Sequence, residues 1–167
     1  MIKKLIILLL NVSVVVLITT THILSSEHTL SGTATHYGCG WNGRIGASGI
    51  TVNCHDPIAA HKTLPFGTIV LVTNDDKNSA QYGDSTVVVI FDRGPYGKGR
   101  VIDMMPYSLW QITKHGAGGV KVRLRVIPLG YTCNTYKCLS KKLGVKRITY
   151  DVLREMLIES DESKNGD

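Results

Sequence analysis

The run Val87-Val88-Val89-Ile90-Phe91-Asp92 constrains the fold more than any other part of the chain. Consecutive β-branched and aromatic residues ending abruptly on a carboxylate predict a buried strand that delivers Asp92 to its end. Gly94-Pro95, Gly97 and Gly99 then forbid continuation, and Arg100-Val101-Ile102-Asp103 predicts a short return strand closing on a second carboxylate. Two aspartates are thereby candidates for neighbours across a glycine-rich turn.

Other strands follow from their patterns. Ser31 to Tyr37 alternates small and β-prone residues, Pro57 to Ala60 makes a short strand leading to His61, and Thr68 to Thr73 is strongly β-prone. Val120 to Val126 alternates apolar residues with Lys121, Arg123 and Arg125, so its basic side chains face one way, as a solvated face or as the rim of a groove for an acidic polymer. Trp41 to Asp56 is polar and glycine-rich without a period, which predicts a long and functional loop. Pro106 can open a helix running to about His115. Beyond Pro128, Cys133 to Arg147 is basic and irregular, Thr149 to Glu159 has helical apolar spacing, and Ser160 to Asp167 reads as a frayed tail. Short strands with few helices predict a small, mainly β barrel.

With 167 residues the chain suits one domain plus extensions. Its net charge of +6 includes Lys3 and Lys4 of an N-terminal segment; without them 17 basic side chains face 13 acidic ones, too mild a surplus to indicate a nucleic-acid binder. Met1 to Ser26 has the basic start and apolar stretch of an export signal, or else of an uncleaved anchor that would give the only membrane association. Export suits four cysteines, for which Cys39–Cys54 and Cys133–Cys138 are the expected local disulfides. Only Cys133-x4-Cys138 has close ligand spacing, so no metal is expected, nor any cofactor.

Chemically, Asp92, Asp103 and His61 each end a predicted strand, with Tyr37 and Ser48 on the first strand and loop. Paired carboxylates in an extracellular groove suit glycosidic bond cleavage, which needs an acid for the leaving oxygen and a base for the attacking group. An aspartate before Arg-Gly-Pro is also a common turn former, and a lone histidine commonly serves packing.

Several blocks occur together in a distinctive order: Gly32-x-Ala34-Thr35-x-Tyr37-Gly38, Ala47-Ser48-Gly49, Ala59-Ala60-His61-Lys62-Thr63-Leu64-Pro65-Phe66-Gly67-Thr68, Val72-Thr73-Asn74, Asp92-Arg93-Gly94-Pro95-Tyr96 and Arg100-Val101-Ile102-Asp103. Over residues 30 to 127 the chain resembles the rare lipoprotein A (RlpA) family, related to expansins and barwin-like proteins. The resemblance implies a six-stranded double-psi β-barrel, here with one or two short helices and a C-terminal helical extension from 128 to 167. It implies an endolytic lytic transglycosylase that cuts MurNAc–GlcNAc bonds of peptidoglycan strands lacking stem peptides and leaves 1,6-anhydro-MurNAc ends. Asp92 and His61 match the family's functional Asp and His, and Asp103 sits where related glycan-active barrels carry an acid. Asp92, Asp103 and His61 are the expected catalytic set, with Tyr37, Ser48, Arg93 and Tyr96 binding substrate. An exported monomer acting on glycan strands is expected.

The chain departs from the family pattern at three points. Ile50 stands where the family has a Glu after Ala-Ser-Gly, Met104-Met105 replaces Leu-Ser, and His36 replaces a Trp before Tyr37. An isoleucine transfers no proton, so a non-catalytic, expansin-like binding or loosening module is the alternative reading, with a barwin-like inhibitor a third.

Overall fold

The computed structural model describes residues 29–129 and 132–165; the export segment at 1–26 lies outside the described residues. Six strands, β1 (Thr29–His36), β2 (Ile58–Ala60), β3 (Ile69–Asn74), β4 (Ser85–Asp92), β5 (Arg100–Met104) and β6 (Gly119–Ile127), close into a barrel ordered β1-β5-β2-β4-β3-β6. The β1/β5 and β2/β4 pairs are parallel and the others antiparallel. This is the mixed six-stranded barrel that the double-psi resemblance implies.

The unbroken apolar run in β4 has a physical reason. Val88 and Ile90 point into the barrel with Val70, Val72, Ile102, Met104, Val122 and Leu124. Val87, Val89 and Phe91 point outward into a second cluster with Met105, Ile127, Leu139, Ile148 and Leu153. A strand buried on both faces carries no polar alternation. β6 shows the contrast: Val120, Val122 and Leu124 are buried, Lys121 and Arg123 are exposed, and Arg125 pairs with Asp161 at 3.3 Å.

The outer cluster is completed by α2 (Tyr136–Lys142) and α3 (Tyr150–Asn165), so the tail after Pro128 lies against the barrel wall. Phe91 meets Tyr136 with ring centroids 5.6 Å apart, and Arg147 pairs with Asp56 ahead of β2. The irregular reading of 133–147 thus gives way to a helix at its centre, begun where the Thr135 side chain accepts from the Cys138 N–H at 3.1 Å. α3 also runs past Glu159 to Asn165, and on this extension Asp161 pairs with Arg125 of β6 at 3.3 Å.

The helix expected to reach His115 stops early: α1 spans only Pro106–Leu109. Met105 offers no side-chain cap, and the following N–H groups of Gln111 and Ile112 bond three residues back, tightening the chain into turns. Leu109 and Ile112 still reach the barrel interior.

Cys133 and Cys138 form the expected disulfide, with Cα atoms 5.4 Å apart. The Cys39–Cys54 bond does not form: Cys39 is exposed at the start of a 3₁₀ turn, while Cys54 is buried with its thiol turned onto the Cys39 carbonyl oxygen at 3.8 Å. Burial and the neighbouring Cys39 thiol push the Cys54 thiol up to about 11. Among the described residues no helix is long and apolar enough to cross a membrane.

Candidate active site

Register builds the site. Ala60 is paired with Asp92 of β4 on one side and with Asp103 of β5 on the other. Thr35 of β1 extends the row, opposite Asp103. The pairing with Asp92 depends on an irregularity: Ala59 faces Ile90, and a register shift at Ala59/Ala60 passes over Phe91 so that Asp92 faces Ala60. Such a bulge re-aims a side chain. Neighbouring strands lie about 4.8 Å apart, so the two aspartate Cα atoms are roughly 10 Å apart on either side of Ala60.

Asp92 is held by three donors. The Tyr37 hydroxyl donates to Oδ2 at 2.8 Å, and the backbone N–H groups of Ala47 and Arg93 donate to Oδ1 at 2.7 and 2.9 Å. Three donors from two loops and one strand end fix the orientation of the carboxyl. The Ala47 contact requires the 38–56 loop to lie on the carboxyl: a Cβ at Gly46 would stand 3.3 Å from Asp92 Cγ. Burial first, then the hydrogen bond to Asp92 and the charges of both aspartates, push the Tyr37 hydroxyl far above the ordinary phenol range.

Asp103 has different surroundings. It accepts a hydrogen bond from Thr35 Oγ1 at 2.8 Å. Burial raises its carboxyl above the usual range and the Asp92 charge adds to this, against the opposing effects of Thr35, Arg100 and His36. The pair therefore divides into a carboxyl anchored by three donors and a carboxyl biased towards keeping its proton.

Both carboxyls open on a groove of about 450 Å³ whose wall includes His36, Tyr37, Trp41, Pro95 and Arg100. Tyr96 stands at the rim, 80% exposed, and Trp41 lies 5.9 Å from Tyr37 with the Arg44 guanidinium over its ring.

The remaining expected residues differ in where they fall. His61 is buried and does not line the groove; its Nδ1 accepts from the N–H groups of Thr63 and Leu64 at 3.2 and 3.0 Å, and its own N–H donates to the Asp92 carbonyl at 3.3 Å. Burial, then the Arg93 and Lys62 charges, lower its pKa, which keeps the ring neutral and accepting. Arg93 contributes to the groove wall, but its guanidinium turns back onto the Leu64 and His61 carbonyls at 2.9 and 3.3 Å and over the Phe66 ring at 3.8 Å. The Ser48 hydroxyl is buried without a hydrogen-bond partner and does not line the groove. Ile50 packs against the outer cluster, also away from the groove.

Sequence reasoning missed His36, Trp41, Arg100 and the Ala47 N–H as site groups. The adjacency of His36 to Tyr37 at a strand end was a usable signal, whereas nothing local marks the Ala47 amide. Among the described residues no group of three or more His, Cys, Asp or Glu could hold a metal ion.

Residues 29–124, more than half of the chain, match the family model described as lytic transglycolase. The chain belongs to this family, and the matched residues include the groove and its two aspartates. It is 40% identical over 99 residues to the endolytic peptidoglycan transglycosylase RlpA of Vibrio cholerae, an alignment covering 59% of this chain and 36% of that protein. It is 44% identical over 96 residues to the probable endolytic peptidoglycan transglycosylase RlpA of Synechocystis, covering 58% and 28%. The chain thus spans about a third of the length of these relatives. A solved expansin of Clavibacter michiganensis aligns with a TM-score of 0.46 at 20% identity, over 62% of this chain and 54% of that one.

Proposed function

We propose that this barrel is an exported lytic transglycosylase that cuts MurNAc–GlcNAc bonds within peptidoglycan strands, preferring strands without stem peptides. The observation that carries the reading is the pair Asp92 and Asp103 across Ala60 beside one groove. The family and the names of its relatives support the substrate class.

Asp103 is the acid. It gives its proton to the oxygen joining MurNAc C1 to GlcNAc, and that bond breaks as positive charge develops on C1. Asp92, anchored by Tyr37, Ala47 and Arg93, stabilises this charge without moving. The MurNAc C6 hydroxyl closes on C1 and releases its proton to a base on the groove wall, leaving a 1,6-anhydro end with no water consumed. His61 acts as a positioning residue, fixing the 61–64 turn and, through its N–H, the backbone of Asp92. The two carboxyls on the groove supply the acid and the fixed partner that this reading needs without a carboxylate at position 50.

The test is product chemistry. Full-length protein incubated with amidase-stripped peptidoglycan is expected to yield anhydro-muramic ends, resolved by mass spectrometry from hydrolytic reducing ends. Sedimentation with the glycan and no new ends of either kind would instead establish the binding-module reading.

A further inference from the structure

His36 ends β1 one residue beyond Thr35, and it lines the groove with Asp103. Its Nδ1 lies 2.6 Å from the Tyr37 carbonyl oxygen. A carbonyl only accepts, so Nδ1 must carry the hydrogen, and in the neutral ring the lone pair is then on Nε2. The ring is also braced: it stands edge-on to Trp110, with centroids 6.0 Å apart and planes at 68°, and Trp110 is itself backed by His115 at 3.9 Å and Tyr107 at 5.6 Å. A histidine merely filling space at a strand end needs neither a fixed tautomer nor a place beside the acid.

We propose that His36 is a second proton-handling residue, the base that takes the proton from the C6 hydroxyl while Asp103 serves as the acid. This rests on the transglycosylase reading above. The stereochemistry favours the arrangement: the C1–O bond that forms in the 1,6-anhydro ring lies on the same face of the sugar as the one that breaks. Acid and base therefore belong on one side; His36 and Asp103, at the adjacent ends of β1 and β5, both line the one groove, with Asp92 across Ala60.

The proton balance closes. Asp103 loses one proton to the departing GlcNAc hydroxyl, Nε2 of His36 gains one from the C6 hydroxyl, and the imidazolium returns it to the Asp103 carboxylate through solvent. The charged and titratable groups around the imidazole are Asp103 and Arg100 on β5, Asp92 and Arg93 at the end of β4, Tyr37 next in sequence and His115 beyond Trp110. The step needs a free lone pair on His36 Nε2 and the proton on Asp103, so kcat falls when the base is blocked at low pH and when the acid is spent at high pH.

The experiment compares wild type with His36→Gln, which keeps an N–H donor for the Tyr37 carbonyl, and with His36→Ala in added free imidazole. Wild type is expected to form anhydro ends with a bell-shaped pH profile. His36→Gln is expected to lose about 10²-fold in kcat near neutrality while still pelleting with glycan, and to lose the decline at low pH. Imidazole is expected to restore His36→Ala. A His36→Gln enzyme with wild-type kcat and profile overturns the proposal. So does a loss of activity that imidazole does not restore, which would make His36 structural. Failure of wild type itself to form anhydro ends removes the transglycosylase reading and this one with it, so the two failures are distinguishable.

Discussion

Asp92 and Asp103 flank the same residue, Ala60, yet meet different surroundings: three donors converge on the first, while the second accepts from Thr35 Oγ1 and has its pKa raised by burial. A carboxyl whose pKa is raised by burial is a source of protons, while a carboxyl met by three donors is held in one orientation. Backbone register and a single loop make that distinction between two chemically identical side chains.

The 38–56 loop belongs to the site through the Ala47 N–H. Gly46→Ala would put a methyl 3.3 Å from Asp92 Cγ, so the loop or the carboxyl must give by a few tenths of an ångström, at the expense of the Ala47 hydrogen bond. The expected result is a loss of roughly 10-fold or more in kcat, corresponding to one charge-assisted hydrogen bond of about 1.5–3 kcal/mol, with the melting temperature little changed. Steady-state kinetics and a thermal melt read the two together.

The tail is structural. Leu153 is fully buried in the outer cluster against β4, so Leu153→Ala is expected to cost about 2–5 kcal/mol in urea unfolding. Truncation after Pro128 would uncover Val87, Val89 and Phe91 and is expected to give aggregated protein on expression.

The two unpaired cysteines differ in accessibility. Native protein treated with a thiol reagent is expected to label rapidly at Cys39, while Cys54, buried and raised to about 11, reacts only after denaturation. Peptide mapping checks the order.

The strand ends carrying Asp92 and Asp103 were legible because an apolar run stopped by a carboxylate and glycines has few other readings. The alternation of β6 was equally plain. The register shift at Ala59/Ala60 was not, since which residue faces Asp92 is decided by neighbouring strands rather than by local preference. His61 looked like a groove residue from its strand-end position, but the turn it caps turns its ring inward. The tail's role was hidden for a related reason: a strand buried on both faces signals a covering layer without saying which segment supplies it.

Asp103→Asn separates proton transfer from stability. Asp103 has a raised folded pKa, so the native state holds its proton more tightly than the unfolded chain does. Stability therefore falls as pH rises from the unfolded value of 3.8 through the folded one, and the charged carboxylate remains unfavourable above it. Asparagine removes that penalty, and a higher melting temperature than wild type is expected at neutral pH.

The most direct measurement is the yield of anhydro-muramic ends from amidase-stripped peptidoglycan, for wild type beside Asp103→Asn. Wild type is expected to generate them, and Asp103→Asn to fall by about 10²–10⁴-fold while sedimenting with the glycan as before. Equal yields from the two proteins would contradict the assignment of Asp103 as the acid.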